Sequence, residues 1–477
     1  MQRFNCFQQI MRLWDRVHPY NAAQVMHLRG PADVTRLRAA WTEALTTLGV
    51  GRAYVTRDGF RHGPPTGRPD EIPTLVDDGR SVAEYVSEQL NLPMEHVPGG
   101  SDPTRDGFCP LRPFVITAGD THYAGVIYHH WAADSSSVRL VLREWFTRAF
   151  DPAAARKTPV KFPEGGFWHY FKPARAGWRM GESLGSFARS LTGFGNVRRL
   201  EAPSEDYRVA CTYHPLPDGT INGLKAYARR QGVSINDLFL AATAEACDRH
   251  GILPTGPGRQ EIALGTVADI RGACKGQDLS DVFGLFLGFT TNVLRPDALR
   301  DWPRLVRRVA SQTSAQKACN AAAASQIRMA AALLEARLLP LRAWVKAYLK
   351  HVPLAAAISN VNLGRTWAGH YHPGILLEYL RFTPAGPSMP MVFTPSSIGD
   401  RLHLALTRRT ALVDETTARR VADAFCRRIS ACATEGAAAS VSTSDNVVGR
   451  VTNAAAGVPG GPITDSVTAA WPRRAVG

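Results

Sequence analysis

Thr121–Phe150 reads THYAGVIYHHWAADSSSVRLVLREWFTRAF, and the folding of this stretch decides how the rest of the chain is read. Tyr123, Gly125 and Ile127 alternate with Ala124, Val126 and Tyr128, which predicts a strand ending at His129-His130. Further on, Val138, Val141, Leu142, Trp145 and Ala149 share one helical face, and Asp134 or Ser135 stands where the N-cap of that helix is expected. The residues from His129 to Asp134 therefore mark a handover from strand to helix. Side chains at such a turn stand at the edge of a sheet, beside a helix N-terminus.

Around this stretch, 477 residues are enough for two or three units with substantial cores. A hydrophobic content of 45% and a charged content of 20% are those of a soluble globular protein, and no apolar run reaches bilayer length. The opening MQRFNCFQQIMRLWDRV lacks the basic–apolar–small order of a signal peptide, so a cytoplasmic location is expected. The eight cysteines form no CxxC pair, which points away from a zinc site or a disulfide framework. The formal charge of +15 is carried by 48 arginines and only eight lysines. No basic block is interleaved with aromatics, so nucleic acid is not an expected partner. A net positive surface would steer an acidic partner.

Helices are expected over Gln8–Val17, Asp33–Thr47 (capped by Asp33), Ser81–Asn91, Thr220–Gln231, Ile235–His250 (capped by Ser234), most of Trp302–Ala347, and Thr416–Ala431. Strands are expected at Asn21–Leu28, Pro113–Thr117, Thr121–Tyr128, Tyr207–Leu216, Glu261–Thr266, within Val282–Leu294, and at Ile358–Leu363, Ile375–Phe382, Met391–Ser397 and Arg401–Leu406. Arg57–Arg80 and Pro93–Asp106 read as loop, and Asp151–Arg199 as a crossover between two halves. From Gly436 onward the Gly-, Ala-, Ser- and Thr-rich composition reads as a disordered tail.

His129-His130-Trp131-Ala132-Ala133-Asp134-Ser135 resembles the HHxxxDG signature of the condensation-domain acyltransferase superfamily. That superfamily includes peptide-synthetase condensation domains, chloramphenicol acetyltransferase, polyketide-associated acyltransferases and wax-ester synthases. Ser135 departs from the pattern, standing where the family has Gly. Further matches follow in the family's order: SINDLFLAATA (234–244), TVADIRG (266–272), FGLFLGFTTNVLR (283–295) and Ser359-Asn360. The resemblance covers about residues 8–430. It implies an α/β, two-lobed chloramphenicol-acetyltransferase-like fold of mixed sheets with flanking helices. One lobe would span 1–175 and carry the motif, and the second would span 176–435.

The resemblance also implies chemistry. His130, the second His of the motif, would act as general base on a hydroxyl or amine that attacks an acyl thioester. No cofactor is needed, because coenzyme A or a phosphopantetheinyl carrier protein, itself acidic, arrives with the acyl group. The acceptor would be a small-molecule or lipid alcohol or amine. Asp134, which in the family pairs with an Arg of the second half, would meet Arg271. His129 would serve packing and hydrogen bonding within the catalytic motif. Ser135 and Asn292 are candidate channel residues, and backbone N–H groups near Ser135 and Ser136 would face the oxyanion. The Ser135 departure favours the alternative of a non-catalytic condensation-like protein that binds an acyl chain or carrier domain.

Other signals point elsewhere. Gly181-Glu182-Ser183-Leu184-Gly185 matches G-x-S-x-G, but the preceding PARAGWRM is no buried strand of the kind a nucleophile elbow needs. His370 and His372 lack a carboxylate or thiol at metal-binding spacing, so no metal is expected there. Cys319–Lys350 mixes Arg and Lys with Leu, Trp344 and Tyr348, as in an amphipathic element that touches lipid. An ordinary helical pair broken near Pro340 and packed on the core is the favoured reading of it.

Overall fold

The computed structural model describes residues 2–65, 74–76, 80–94, 107–163, 194–200, 204–251, 253–273, 278–363 and 375–454. Its strands are β1 Gln2–Arg3, β2 Asn21–Arg29, β3 Arg52–Val55, β4 Gly59–Gly63, β5 Thr74–Val76, β6 Leu111–Ala118, β7 Thr121–His129, β8 Val209–Pro215, β9 Ile262–Asp269, β10 Leu287–Leu294, β11 Ala356–Ile358, β12 Val361–Asn362, β13 Leu376–Phe382, β14 Met391–Ile398 and β15 Arg401–Arg409. The helices are α1 Cys6–Asp15, α2 Val34–Leu48, α3 Val82–Leu90, α4 Ser135–Phe150, α5 Thr220–Gln231, α6 Ile235–Arg249, α7 Pro296–Leu299, α8 Trp302–Ala318, α9 Ala321–Leu338, α10 Leu341–His351 and α11 Glu415–Ala454. The result is a mixed α/β fold with flanking helices, as expected.

The first sheet has the order β13-β2-β7-β6-β5, with β7 deep inside it. The alternation in β7 sends Ala124, Val126 and Tyr128 into one core with Trp41 of α2 and Val138, Leu142 and Trp145 of α4. Ile127 faces the opposite core, with Phe114 of β6 and Tyr85 of α3. Helix α4 is pinned by Trp145, whose Nε1 donates to the Leu37 carbonyl at 2.8 Å and whose ring meets Trp41 edge-on at 4.9 Å. The polar end of the Trp145 indole thus limits which way its apolar body can lie.

The second sheet runs β10-β9-β11-β14-β15-β8, with β12 paired to β14. Sheet membership does not follow the expected division into residues 1–175 and 176–435. Strand β13 leaves the second half and pairs antiparallel with β2, from Phe382 opposite Ala23 to Leu376 opposite Leu28. The 175/176 boundary itself lies outside the described residues, as do Ser183, His370 and His372. Two strands also fall in the stretch read as loop, β4 and β5. Gly59, Arg61 and Gly63 carry little intrinsic strand preference; β4 forms because β1 and β3 flank it.

Helices α9 and α10 form a helical pair interrupted at Leu339-Pro340, with α9 packed against β10 and α1. Met329, Trp344 and Tyr348 are buried in the main core, and Trp344 Nε1 donates to the Ala332 carbonyl at 2.9 Å. No helix among the described residues is long and apolar enough to cross a membrane.

The end of the chain also departs from expectation. Helix α11 does not stop before Gly436 but continues to Ala454; residues 455–477 lie outside the described residues. Gly436 is a contact residue rather than a terminator. A Cβ there would collide with the Gly223 carbonyl of α5, and one on Gly223 would collide with Ala433 of α11. The helices approach this closely because neither has a side chain at the crossing. Gly436→Ala gains about 1 kcal/mol of helix propensity but meets an overpacking cost of about 1–3 kcal/mol. The variant is therefore expected to unfold at lower urea concentration than wild type; an equal or higher midpoint would show that the crossing has slack.

Candidate active site

The turn after β7 is held from several sides. Trp131, Ala132 and Ala133 are each 1% exposed, and Gln8 of α1 donates through Nε2 to the Trp131 carbonyl at 3.0 Å. Asp134 is the N-cap of α4, in extended backbone conformation, and accepts from the Ser137 amide at 2.8 Å. Of the candidate caps, Asp134 takes the role and Ser135 becomes the first helical residue.

Asp134 also ties the turn to the other half of the chain. Arg271 Nη1 lies 2.6 Å from Asp134 Oδ2 and Nη2 lies 3.2 Å from Oδ1, a bidentate pair across 137 residues of sequence. The Phe286 amide donates to Oδ2 at 2.8 Å. Arg271 reaches Ser137 Oγ at 3.0 Å as well and stacks on Phe286, 4.6 Å from the ring centre. Burial alone would raise the carboxyl pKa of Asp134. The Arg271 charge and the donated hydrogen bonds outweigh burial and hold it below the usual carboxylate range.

The two histidines are treated differently by their surroundings. His129, 1% exposed, has Nε2 3.0 Å from Trp131 Nε1 and 3.3 Å from Asp15 Oδ2 at the end of α1. His130 faces a cavity whose lining includes Tyr20, Tyr128, Trp14, Phe289 and Tyr348. Its ring stacks on Tyr20 at 5.8 Å between centroids and meets Tyr128 edge-on at 5.7 Å. Burial pushes the His130 pKa down to about 4, so the imidazole is neutral at neutral pH. A neutral imidazole in an apolar cavity can accept a proton, which an imidazolium cannot.

Ser135 lines the same cavity, but its hydroxyl is engaged: Arg139 Nη1 donates to it at 2.8 Å and Gln24 Nε2 at 3.2 Å. Gln24 in turn accepts from Tyr379 of β13 at 2.7 Å, so the start of α4 leans on two strands of the first sheet. Asn292 is placed elsewhere. It is fully buried on β10, with Nδ2 3.3 Å from Gln312 Oε1 of α8, and is not among the residues lining the cavity. The reason is register: Asn292 pairs with Leu264 toward the far end of β10, whereas Leu287 and Phe289 at the near end reach the cavity. Sequence reading missed Arg381, a cavity residue whose one signal is a charge inside the apolar strand LLEYLRF. Among the described residues no cluster of His, Cys, Asp and Glu is placed to hold a metal ion.

No protein-family model matches the chain, and no curated protein is close enough in sequence to count as a relative. Solved structures do share its fold. The first condensation domain of the CDA synthetase superposes with a TM-score of 0.61 at 13% identity, over 89% of this chain and 94% of that one. The cyclization-docking bidomain of EpoB from Sorangium cellulosum gives 0.62 at 15% identity, over 90% and 85%. The epimerization domain of the third module of tyrocidine synthetase B gives 0.59 at 13%, over 91% and 96%. The chain thus has the condensation-domain fold that the motif resemblance implied.

Arg271→Ala strands a buried carboxylate and is expected to cost about 3–5 kcal/mol in urea unfolding, with Asp134→Ala/Arg271→Ala costing less than the two single changes added. The sign of the pH dependence follows from the depressed pKa of Asp134. Its stabilisation is complete above the ordinary value of 3.8 and is lost as the pH falls below that through the lower folded value. The stability gap between wild type and the double variant should therefore be flat above about pH 5 and close below it. A gap that persists unchanged into strong acid would rule out the ion pair as its source.

Proposed function

We propose that this chain is an acyltransferase that moves an acyl group from a thioester to a hydroxyl or amine, forming an ester or amide. The observation that carries the reading is His130: a neutral imidazole facing an apolar cavity, on a turn held from the other half of the chain by Asp134 and Arg271. The condensation-domain fold supports the same chemistry.

In this mechanism His130 takes the proton of the acceptor O–H or N–H as its lone pair attacks the thioester carbonyl. The tetrahedral oxyanion that forms is met by the N–H groups of Ser135 and Ser136 at the start of α4, which have no partner within the helix. Collapse of that intermediate breaks the C–S bond, and the imidazolium returns its proton to the departing thiolate. Both substrates meet in one cavity, so proximity supplies much of the rate and no acyl-enzyme is required. The donor is coenzyme A or a phosphopantetheinyl carrier protein; a carrier, being acidic, suits the net charge of +15.

The test is intact-mass detection of ester or amide from a panel of acyl-coenzyme A and acyl-carrier donors with alcohol and amine acceptors. Wild type is expected to form product and His130→Ala to lose it by a factor of about 10²–10⁴. Equal turnover by the two proteins would overturn the assignment of the base. Because the base works only when neutral, kcat/KM should be level above about pH 5 and fall as the pH approaches the His130 pKa of about 4.

A further inference from the structure

Arg381 lies on β13 opposite Gln24 of β2, is 5% exposed, and lines the same cavity as His130. Its guanidinium donates to the Ser359 carbonyl at 3.3 Å and to Ser359 Oγ at 3.0 Å, both neutral acceptors. Among the described residues no carboxylate is paired with it. The groups that act on its charge are Tyr379, Tyr128 and the cation Arg139, which opposes it. Arg139 is itself buried, with its Nη groups on Ser135 and Ser136. The nearby carboxylate Asp134 is already gripped by Arg271.

Two other arginines in the molecule show what a structural role looks like. Arg271 faces the carboxylates of Asp134 and Asp269. Arg409, fully buried, donates to the carbonyls of Pro387, Ser204 and Asp206 and lies over the Tyr207 ring. Arg381 has a single residue to hold it and an open cavity in front of it. A guanidinium removed from water without a counter-charge is costly, and its planar fork of several N–H donors matches a carboxylate in bidentate fashion.

We infer that Arg381 binds a carboxylate, so that one of the molecules entering the His130 cavity carries a free carboxylate beside an apolar body. The inference rests on reading the cavity as the acyl-transfer site. The apolar body is called for by Trp14, Phe289, Met329 and Leu354 on the cavity wall. The carboxylate belongs either to an amino-acid-like acceptor or to the far end of a dicarboxylic acyl donor. Both present the same group to Arg381.

Titration calorimetry on the full chain tests this without turnover. The probes are matched carboxylates and primary amides: butyrate and butyramide, hexanoate and hexanamide, 3-phenylpropionate and 3-phenylpropionamide. Wild type is expected to prefer the carboxylate by about tenfold in at least one pair. Arg381→Gln should abolish that preference, Arg381→Lys should keep part of it, and His130→Ala should leave it intact. Circular dichroism melts establish that each variant is folded, and the wild-type comparison needs no variant. Absence of a carboxylate preference in every wild-type pair would overturn the inference. So would a preference kept by Arg381→Gln and lost in His130→Ala. Loss of the transfer reading leaves these binding results standing, so the two fail separately. Once transfer is observed, comparing an amino-acid acceptor with its amide, and a dicarboxylic with a simple acyl donor, assigns the carboxylate to one substrate.

Discussion

A carboxylate with no exposed surface stays ionised only if the protein itself supplies what water would have supplied, and Asp134 obtains this from both halves of the chain. Its own helix gives the Ser137 amide; the second half gives the Arg271 guanidinium and the Phe286 amide. A pair of this kind adds little net stability compared with apolar packing of the same volume, yet breaking one side of it is expensive. Its effect is geometric. With Asp134 held, the turn from His129 to Ala133 has little freedom, and the His130 ring is fixed between Tyr20 and Tyr128.

The cavity inherits its electrostatics from this arrangement. The Asp134 charge favours an imidazolium at His130, but burial is the larger effect and, with the positive charge of Arg381, keeps the ring neutral. Arg381 on the cavity wall, and Arg139 held on Ser135 and Ser136, then add positive charge that no carboxylate among the described residues pairs with. The apolar surface around them strengthens any interaction with an entering anion, because there is little water to screen it.

Much of this was legible in the sequence where local pattern and tertiary placement agree. The strand–turn–helix of Thr121–Phe150 was readable because alternation, an N-cap residue and a helical stripe follow one another without conflict, and the Asp134–Arg271 pair followed from the resemblance. What was not legible depends on partners distant in sequence. Strand β4 is made by its neighbours on both sides rather than by its own Gly-containing sequence. The stretch from Gly436 reads as a disordered tail because of its Gly-, Ala-, Ser- and Thr-rich composition; only contact with Gly223 shows why Gly436 sits within a helix. Arg381 was not singled out, because the strand pattern of Ile375–Phe382 does not show that β13 joins β2 and that Arg381 lines the His130 cavity. Asn292 was misplaced for a simpler reason: a motif match gives a position along β10 but not which end of that strand borders the cavity.

The crossing of β13 has a consequence for how the chain comes to be folded. During synthesis the ribosome releases β2, β7 and β6 long before residues 376–382 exist, so the first sheet is assembled with one flank of β2 bare. That flank is a nine-residue strand, buried along nearly its whole length in the finished protein. Unpaired, it offers a ready template for strands of other molecules. The pairing that caps it joins residues more than three hundred positions apart, the kind of contact that forms slowly. The nascent protein thus passes through a long interval in which this sheet edge is open, and a cell that makes it in quantity must either shield that edge or lose chains to aggregation.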